Sequence, residues 1–212
     1  MFYEPAKRNH GLPFSPLKAI VAPRPIGWIS SLSPEGVANL APYSFFNLIC
    51  EVPPLVMFSS TGRKDSVANI EATGAFVCNL ATLDLIDAVN LTSTPAPRNV
   101  SEFDLAGLAP APSRLVKPPR VAASPCALEC IHVETFRPRG KDGALTEQYM
   151  VIGEVVGVHV DDAAIVDGRV DMTVMKSIAR CGYLDYAPVE RLEERERPPG
   201  GGMDLKARGS SG

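Results

Sequence analysis

Ser59-Ser60-Thr61-Gly62-Arg63-Lys64-Asp65-Ser66 stands between the apolar run Leu55-Val56-Met57-Phe58 and a segment with helical spacing that begins near Asp65. A strand that ends this way sets hydroxyls, a permissive glycine and two cations beside the positive end of a helix. Those are the groups that hold a phosphate or a phosphorylated cofactor. The segment is not a nucleotide P-loop: Gly-x4-Gly-Lys-Ser/Thr needs an earlier glycine and a lysine directly after the second, and here Arg63 intervenes. A plain polar turn, with Asp65-Ser66 as no more than a helix cap, is the competing reading.

The flanking sequence is mostly strand. Residues 26–32 are rich in β-forming side chains and run into Ser33-Pro34-Glu35-Gly36, whose turn chemistry returns residues 37–40 as a hairpin. Residues 55–60 predict a strand, 66–73 a short helix stopped by Gly74, and 75–80 another strand. Residues 83–91 carry Leu83, Ile86 and Val89 at helical steps. From 92 to 125 the chain is dense in Pro, Ala and Ser, with Phe103, Leu105 and Leu108 as its apolar anchors, which predicts a crossing over the surface or a lid.

Residues 126–136 and 148–160 predict a long hairpin closed by a polar turn. Most positions in both arms are apolar, so the expectation is burial on both faces, in a closed barrel or at a subunit interface. Glu129 and Glu154 interrupt these arms, and each is expected at a barrel mouth or paired with a cation. Beyond Tyr186 the run of Glu and Arg, followed by Pro and Gly, predicts a solvated tail over residues 188–212.

At 212 residues, 45% hydrophobic and 21% charged, the chain is long enough to bury one core without staples. A net charge of −3 argues against a broad grip on nucleic acid, which needs a basic face. No stretch has the length and apolarity of a signal peptide or a bilayer span, so a cytoplasmic protein without membrane attachment is expected. The five cysteines are odd in number and mostly set in apolar surroundings, as reduced buried thiols are. Cys126, Cys130 and His132 do not match metal-ligand spacing.

Several segments resemble a known family when read in order. They are Arg24-Pro25-Ile26-Gly27-Trp28-Ile29-Ser30-Ser31, Asn39-Leu40-Ala41-Pro42-Tyr43-Ser44-Phe45-Phe46-Asn47, Pro53-Pro54-Leu55-Val56-Met57-Phe58-Ser59, Lys64-Asp65-Ser66 with Asn69-Ile70, and Gly74-Ala75-Phe76-Val77-Cys78-Asn79-Leu80. Phe103-Asp104, Gly107-Leu108, Leu128-Glu129-Cys130 and Ala179-Arg180-Cys181-Gly182-Tyr183 extend the series. It is similar to the flavin reductase-like family, whose members bind FMN on a split β-barrel. Many relatives carry threonine where this chain has Ser66, and the hydroxyl is retained.

The resemblance implies a mainly β protein: an FMN-binding split β-barrel of six to seven mostly antiparallel strands with a few short helices. It implies an N-terminal extension over residues 1–19, the domain over 20–187, the tail after it, and a homodimer. Lys64 and Arg63 would neutralise the FMN phosphate, and the hydroxyls of Ser59, Ser60, Thr61 and Ser66 would bond its oxygens. Asp65 would cap the helix or pair with a cation. Tyr43, Ser44, Phe45, Phe46 and Asn47 would line the ring edge and ribityl chain through backbone groups, with Phe45 and Phe46 serving as ring walls or as ordinary core. One of Ser30 and Ser31 would face the flavin and the other away, because strand side chains alternate. Arg24 would aim at the pyrimidine end or lie exposed at a strand entrance. Trp28 is expected in core or interface packing.

The implied chemistry belongs to the cofactor: NAD(P)H gives hydride to the flavin, and the reduced flavin passes electrons onward, to a monooxygenase or another redox partner. The alternative is a non-enzymatic FMN electron carrier that exchanges electrons with a protein. A third reading keeps the barrel and gives the cradle a different cofactor. No Gly-x-Gly-x-x-Gly is present, so the nicotinamide would lie directly against the flavin. His10, His132 and His159 have no carboxylate partner visible in sequence and no catalytic residue is assigned.

Overall fold

Seven antiparallel strands form the main sheet in the computed structural model of the chain, which describes residues 1–196. Numbered along the chain they are β1 (Gly27–Leu32), β2 (Ala38–Tyr43), β3 (Phe46–Glu51), β4 (Pro54–Thr61), β5 (Ala75–Leu80), β6 (Cys126–Phe136) and β7 (Gln148–Val160). Their order across the sheet is β2-β1-β5-β6-β7-β4-β3. The two edges, β2 and β3, are consecutive in sequence, and the sheet curls until β2 lies beside β4. The result is a split half-barrel with few short helices, as expected.

Alternation along the strands builds two cores. Ile29, Phe58, Phe76, Cys130 and Val151 fill the inside of the curl. The Asp65–Thr73 helix plugs it with Val67 and Ile70, and ends where Gly74, at φ 76°, turns its N–H back to the Ile70 carbonyl. Trp28 and Leu40 point the other way and pack with Val89, Phe103, Val121 and Ile178. The Trp28 indole donates to Thr92 Oγ1 at 2.9 Å.

The Pro-rich crossing is tied down by buried polar groups. Ser30 Oγ donates to the Pro119 carbonyl at 2.5 Å, Val121 N–H to Asn79 Oδ1 at 2.8 Å, and Ser124 Oγ to the Leu80 carbonyl at 2.9 Å. Glu129 holds the next stretch. Its carboxylate, fully buried, accepts the backbone N–H groups of Arg114, Leu115 and Val116 and a 2.5 Å bond from His159 Nε2. His159 thus has a carboxylate partner after all, one strand away and thirty residues back.

The stretch 43–47 spans a corner: Tyr43 closes β2, Ser44-Phe45 bends, and Phe46 opens the edge strand β3. Within the single chain the crossing covers the long hairpin only around Glu129 and leaves Ile131, Val133, Phe136, Val156 and Val158 exposed, so of the two expected covers, barrel closure and a subunit interface, the first is not what this chain supplies. The N-terminal segment lies against the rest of the chain. Ala19 packs on Gly182, the Phe14 ring meets Tyr183 at 5.9 Å, and Arg24–Pro25 pairs with Ile178–Arg180 in a small second sheet. Residues 189–196 have no regular structure, and the remainder of the expected tail lies outside the described residues.

Candidate functional site

A cleft of about 790 Å³ opens on the outer face of the β3-β4-β7 edge. Alternation on β4 decides what it sees. Val56, Phe58 and Ser60 turn inward and are buried, while Met57 and Ser59 line the cleft. Across the ladder Ser59 stands opposite Met150 and Thr61 opposite Gln148. Ser59 Oγ donates to Gln148 Oε1 at 2.9 Å and Gln148 Nε2 to Thr61 Oγ1 at 2.8 Å, so three polar side chains form one row. Ser44, Phe45, Phe46 and Asn47 make the second side, and Ile20, Val21 and Pro23 the third.

Arg24 lines the cleft but is neither exposed nor free. It is only 9% accessible and its guanidinium donates to the carbonyls of Lys18, Val21 and Cys181. Its carbon lies 5.9 Å from the Phe45 ring centroid, and its Nε has no partner. The residue clasps residues 18–21 to residues 181–183 and so shapes the wall.

The strand-to-helix loop divides its groups between inside and outside. Ser60 Oγ bonds the Gly62 carbonyl at 3.0 Å, and Ser66 Oγ donates to Asn39 Oδ1 at 2.7 Å, both serines being buried. Arg63 pairs with Glu71 at 2.7 Å. Asp65 pairs with Arg98 at 2.8 Å, the second of the two roles expected for it, and no side chain caps the helix. Thr61 and Lys64 face solvent, and the Lys64 ammonium has no ion-pair partner among the described residues.

Ser30 and Ser31 both lie away from the cleft. Each is fully buried: Ser30 is spent on the Pro119 carbonyl and Ser31 on Asn39, on the two faces that alternation requires. Tyr43 is core as well, its ring 4.6 Å from Phe58. Burial pushes its phenol above the usual range, against the hydrogen bonds of Ser66 and Ser60. Of the fourteen sequence-derived site residues, the fold therefore brings Arg24, Ser44, Phe45, Phe46, Asn47 and Ser59 into one cleft. Sequence reading missed Met57, Pro138, Gln148 and Met150. Period two counted from Ser59 would have found Met57, whereas Gln148 required the β4-β7 register.

The flavin reductase-like domain family matches residues 21–171. The chain belongs to that family. Similar to this flavin reductase-like chain is nitrilotriacetate monooxygenase component B from Bacillus cereus, with a TM-score of 0.83 and 30% identity over 92% of this chain and 98% of that one. The 2-nitrobenzoate 2-nitroreductase of Pseudomonas fluorescens aligns with a TM-score of 0.81 and 26% identity over 94% and 98%. Flavoredoxin of Desulfovibrio vulgaris (Miyazaki F) shares the fold, with a TM-score of 0.74 at 19% identity over 84% and 93%. In sequence, an uncharacterized protein of Halalkalibacterium halodurans is 35% identical over 198 residues, 91% of this chain and 92% of its own length.

Proposed function

We propose that the protein holds FMN in the cleft, takes hydride onto it from NADH or NADPH, and supplies reduced flavin to a monooxygenase. One observation carries this reading: on a single face of β4 an apolar slot runs into a polar row, and the exposed cation Lys64 follows three residues after that strand ends. Met57, Met150, Phe45 and Phe46 offer walls for a flat ring, Ser59 and Gln148 offer hydrogen bonds, and Lys64 stands beyond Thr61 where a phosphate would end. The start of the Asp65–Thr73 helix, which no side chain caps, follows Lys64 directly and would add backbone N–H groups and its dipole. The residues present thus fit a phosphorylated flavin.

When bound, the flavin supplies the redox chemistry. The chain's part is to bind and orient. Ser59 and Gln148 fix the polar edge, the Arg24 clasp fixes the wall formed by residues 20–23, and Lys64 balances the phosphate. The similarity to a monooxygenase component B supports the onward partner. We place the reaction in the cytoplasm, where unpaired cysteines such as Cys50 and Cys181 are at home. No described helix is long and apolar enough to cross a membrane.

The proposed assembly is a homodimer. Exposed Ile131, Val133 and Val156 lie on β6 and β7, and the rungs that lead from there across β7 to the cleft-lining Met57 and Met150 carry Ile152 and Phe136 together with Glu134 and Glu154. A second copy laid on this surface would also cover the cleft's mouth.

Titration of the purified protein with FMN, followed by NADH and NADPH consumption at saturating flavin, tests the reading. Saturable binding with consumption is expected. Absence of flavin binding would overturn it, and binding without consumption would turn it into the electron carrier.

A further inference from the structure

A second pocket, of about 270 Å³, lies on the far side of the Asp65–Thr73 helix, between that helix, the β1-β2 turn and residues 97–102. Its floor is a polar network whose direction can be deduced from one end. Glu102, 6% accessible, uses Oε2 to accept Asn39 Nδ2 and the Leu40 N–H, each at 2.9 Å. A carboxylate only accepts, so Asn39 must turn its NH2 to Glu102 and its Oδ1 to the serines. Ser66 and Ser31 accordingly donate to Asn39 Oδ1, at 2.7 and 3.3 Å. Ser31, having spent its proton, accepts from Asn69 Nδ2 at 3.3 Å. Asn69, 8% accessible, is left with its Oδ1 as the group not used in the network.

Two acceptors therefore have no partner among the described residues: Glu102 Oε1 and Asn69 Oδ1, on side chains more than nine-tenths buried that line the same pocket. Both pocket arginines already have carboxylate partners, Arg63 in Glu71 and Arg98 in Asp65, which lines the same pocket. The two oxygens are reached through the pocket's open space; a water could donate to both, but a cation would also balance the charge of Glu102. The complement of this site is a cation that carries only donors. The described residues hold no cluster of His, Cys, Asp and Glu able to bind a multivalent metal.

We propose that this pocket binds a small organic ammonium ion, with its N–H groups shared between Glu102 Oε1 and Asn69 Oδ1 and its carbon end against Ala68, Ala72 and Val100. The site is separate from the cleft and needs no flavin.

Thermal unfolding of the full chain in methylammonium chloride, against sodium and potassium chloride at equal ionic strength, tests it. Methylammonium is expected to raise the midpoint by about 2–4 °C over either metal salt, as a ligand specific for the native state does. Ala68→Met fills the pocket from the helix without touching the network, and should abolish the difference while keeping the midpoint in sodium chloride. Glu102→Gln should abolish it too. Equal midpoints in the three salts, or a shift that survives Ala68→Met, would overturn the proposal.

Discussion

Ser59 turns its hydroxyl to Gln148 in the cleft, while Ser60, one residue on, is buried and bonds the Gly62 carbonyl. The two serines should respond differently to removal. Ser59→Ala is expected to weaken FMN binding, and Ser60→Ala to leave it near wild type, in the same flavin titration. Lys64→Ala should weaken FMN by about 1–3 kcal/mol, the range of a charge-assisted bond, and its effect should shrink for riboflavin, which has no phosphate. Equal losses for both ligands would remove Lys64 from the phosphate.

Glu129 carries a pH dependence of a definite sign. Burial would push its carboxyl up, but the bonds from His159 and from three backbone N–H groups outweigh burial and hold it down at about 2. A carboxyl whose folded pKa lies below its unfolded value stabilises the fold above the unfolded pKa, and the contribution is lost as pH falls toward the folded one. Wild-type stability should therefore drop by about 3 kcal/mol between roughly pH 5 and pH 2. Glu129→Gln should be less stable at pH 7 and flatter over that window, as measured by denaturant unfolding.

At the scale of elements, β5 and the Asp65–Thr73 helix were legible because punctuation marks them: Gly74 at φ 76° ends one and opens the other. β3 was not legible. Ser44 and Phe45 carry no turn chemistry, and the bend there comes from the sheet's own curl, a tertiary cause. Ser30, Ser31 and Ser66 read as ligand-facing hydroxyls because a polar residue in an apolar strand looks the same whether it meets a cofactor or a buried partner. Their partners, Pro119 and Asn39, lie 89, 8 and 27 positions away. The cleft could be anticipated from Tyr43–Asn47 and Ser59, but its β7 side could not be, since nothing local links Gln148 to Thr61. Glycines in the long hairpin have a local test. A Cβ at Gly153 would be driven into the Phe76 ring, so Gly153→Ala should cost about 1–3 kcal/mol in denaturant unfolding.

At the scale of the whole molecule, the exposed valines of β6 and β7 set the expected assembly. Val133→Glu should convert the proposed dimer to monomer in light scattering and weaken flavin binding with it, because the rungs of β6 and β7 lead across the same sheet to the cleft-lining Met57 and Met150. Loss of the dimer with unchanged flavin affinity would separate the two.

Arg24 joins the carbonyl of Lys18 to that of Cys181, which lies 157 positions beyond Arg24. The wall of the cleft thus waits on a residue made long after Arg24 itself. A nascent chain still missing it can fold much of its sheet but has no finished pocket, so cofactor loading belongs after the ribosome has released this part of the chain. Limited proteolysis that nicks residues 181–185 should free the cofactor while the barrel stays intact.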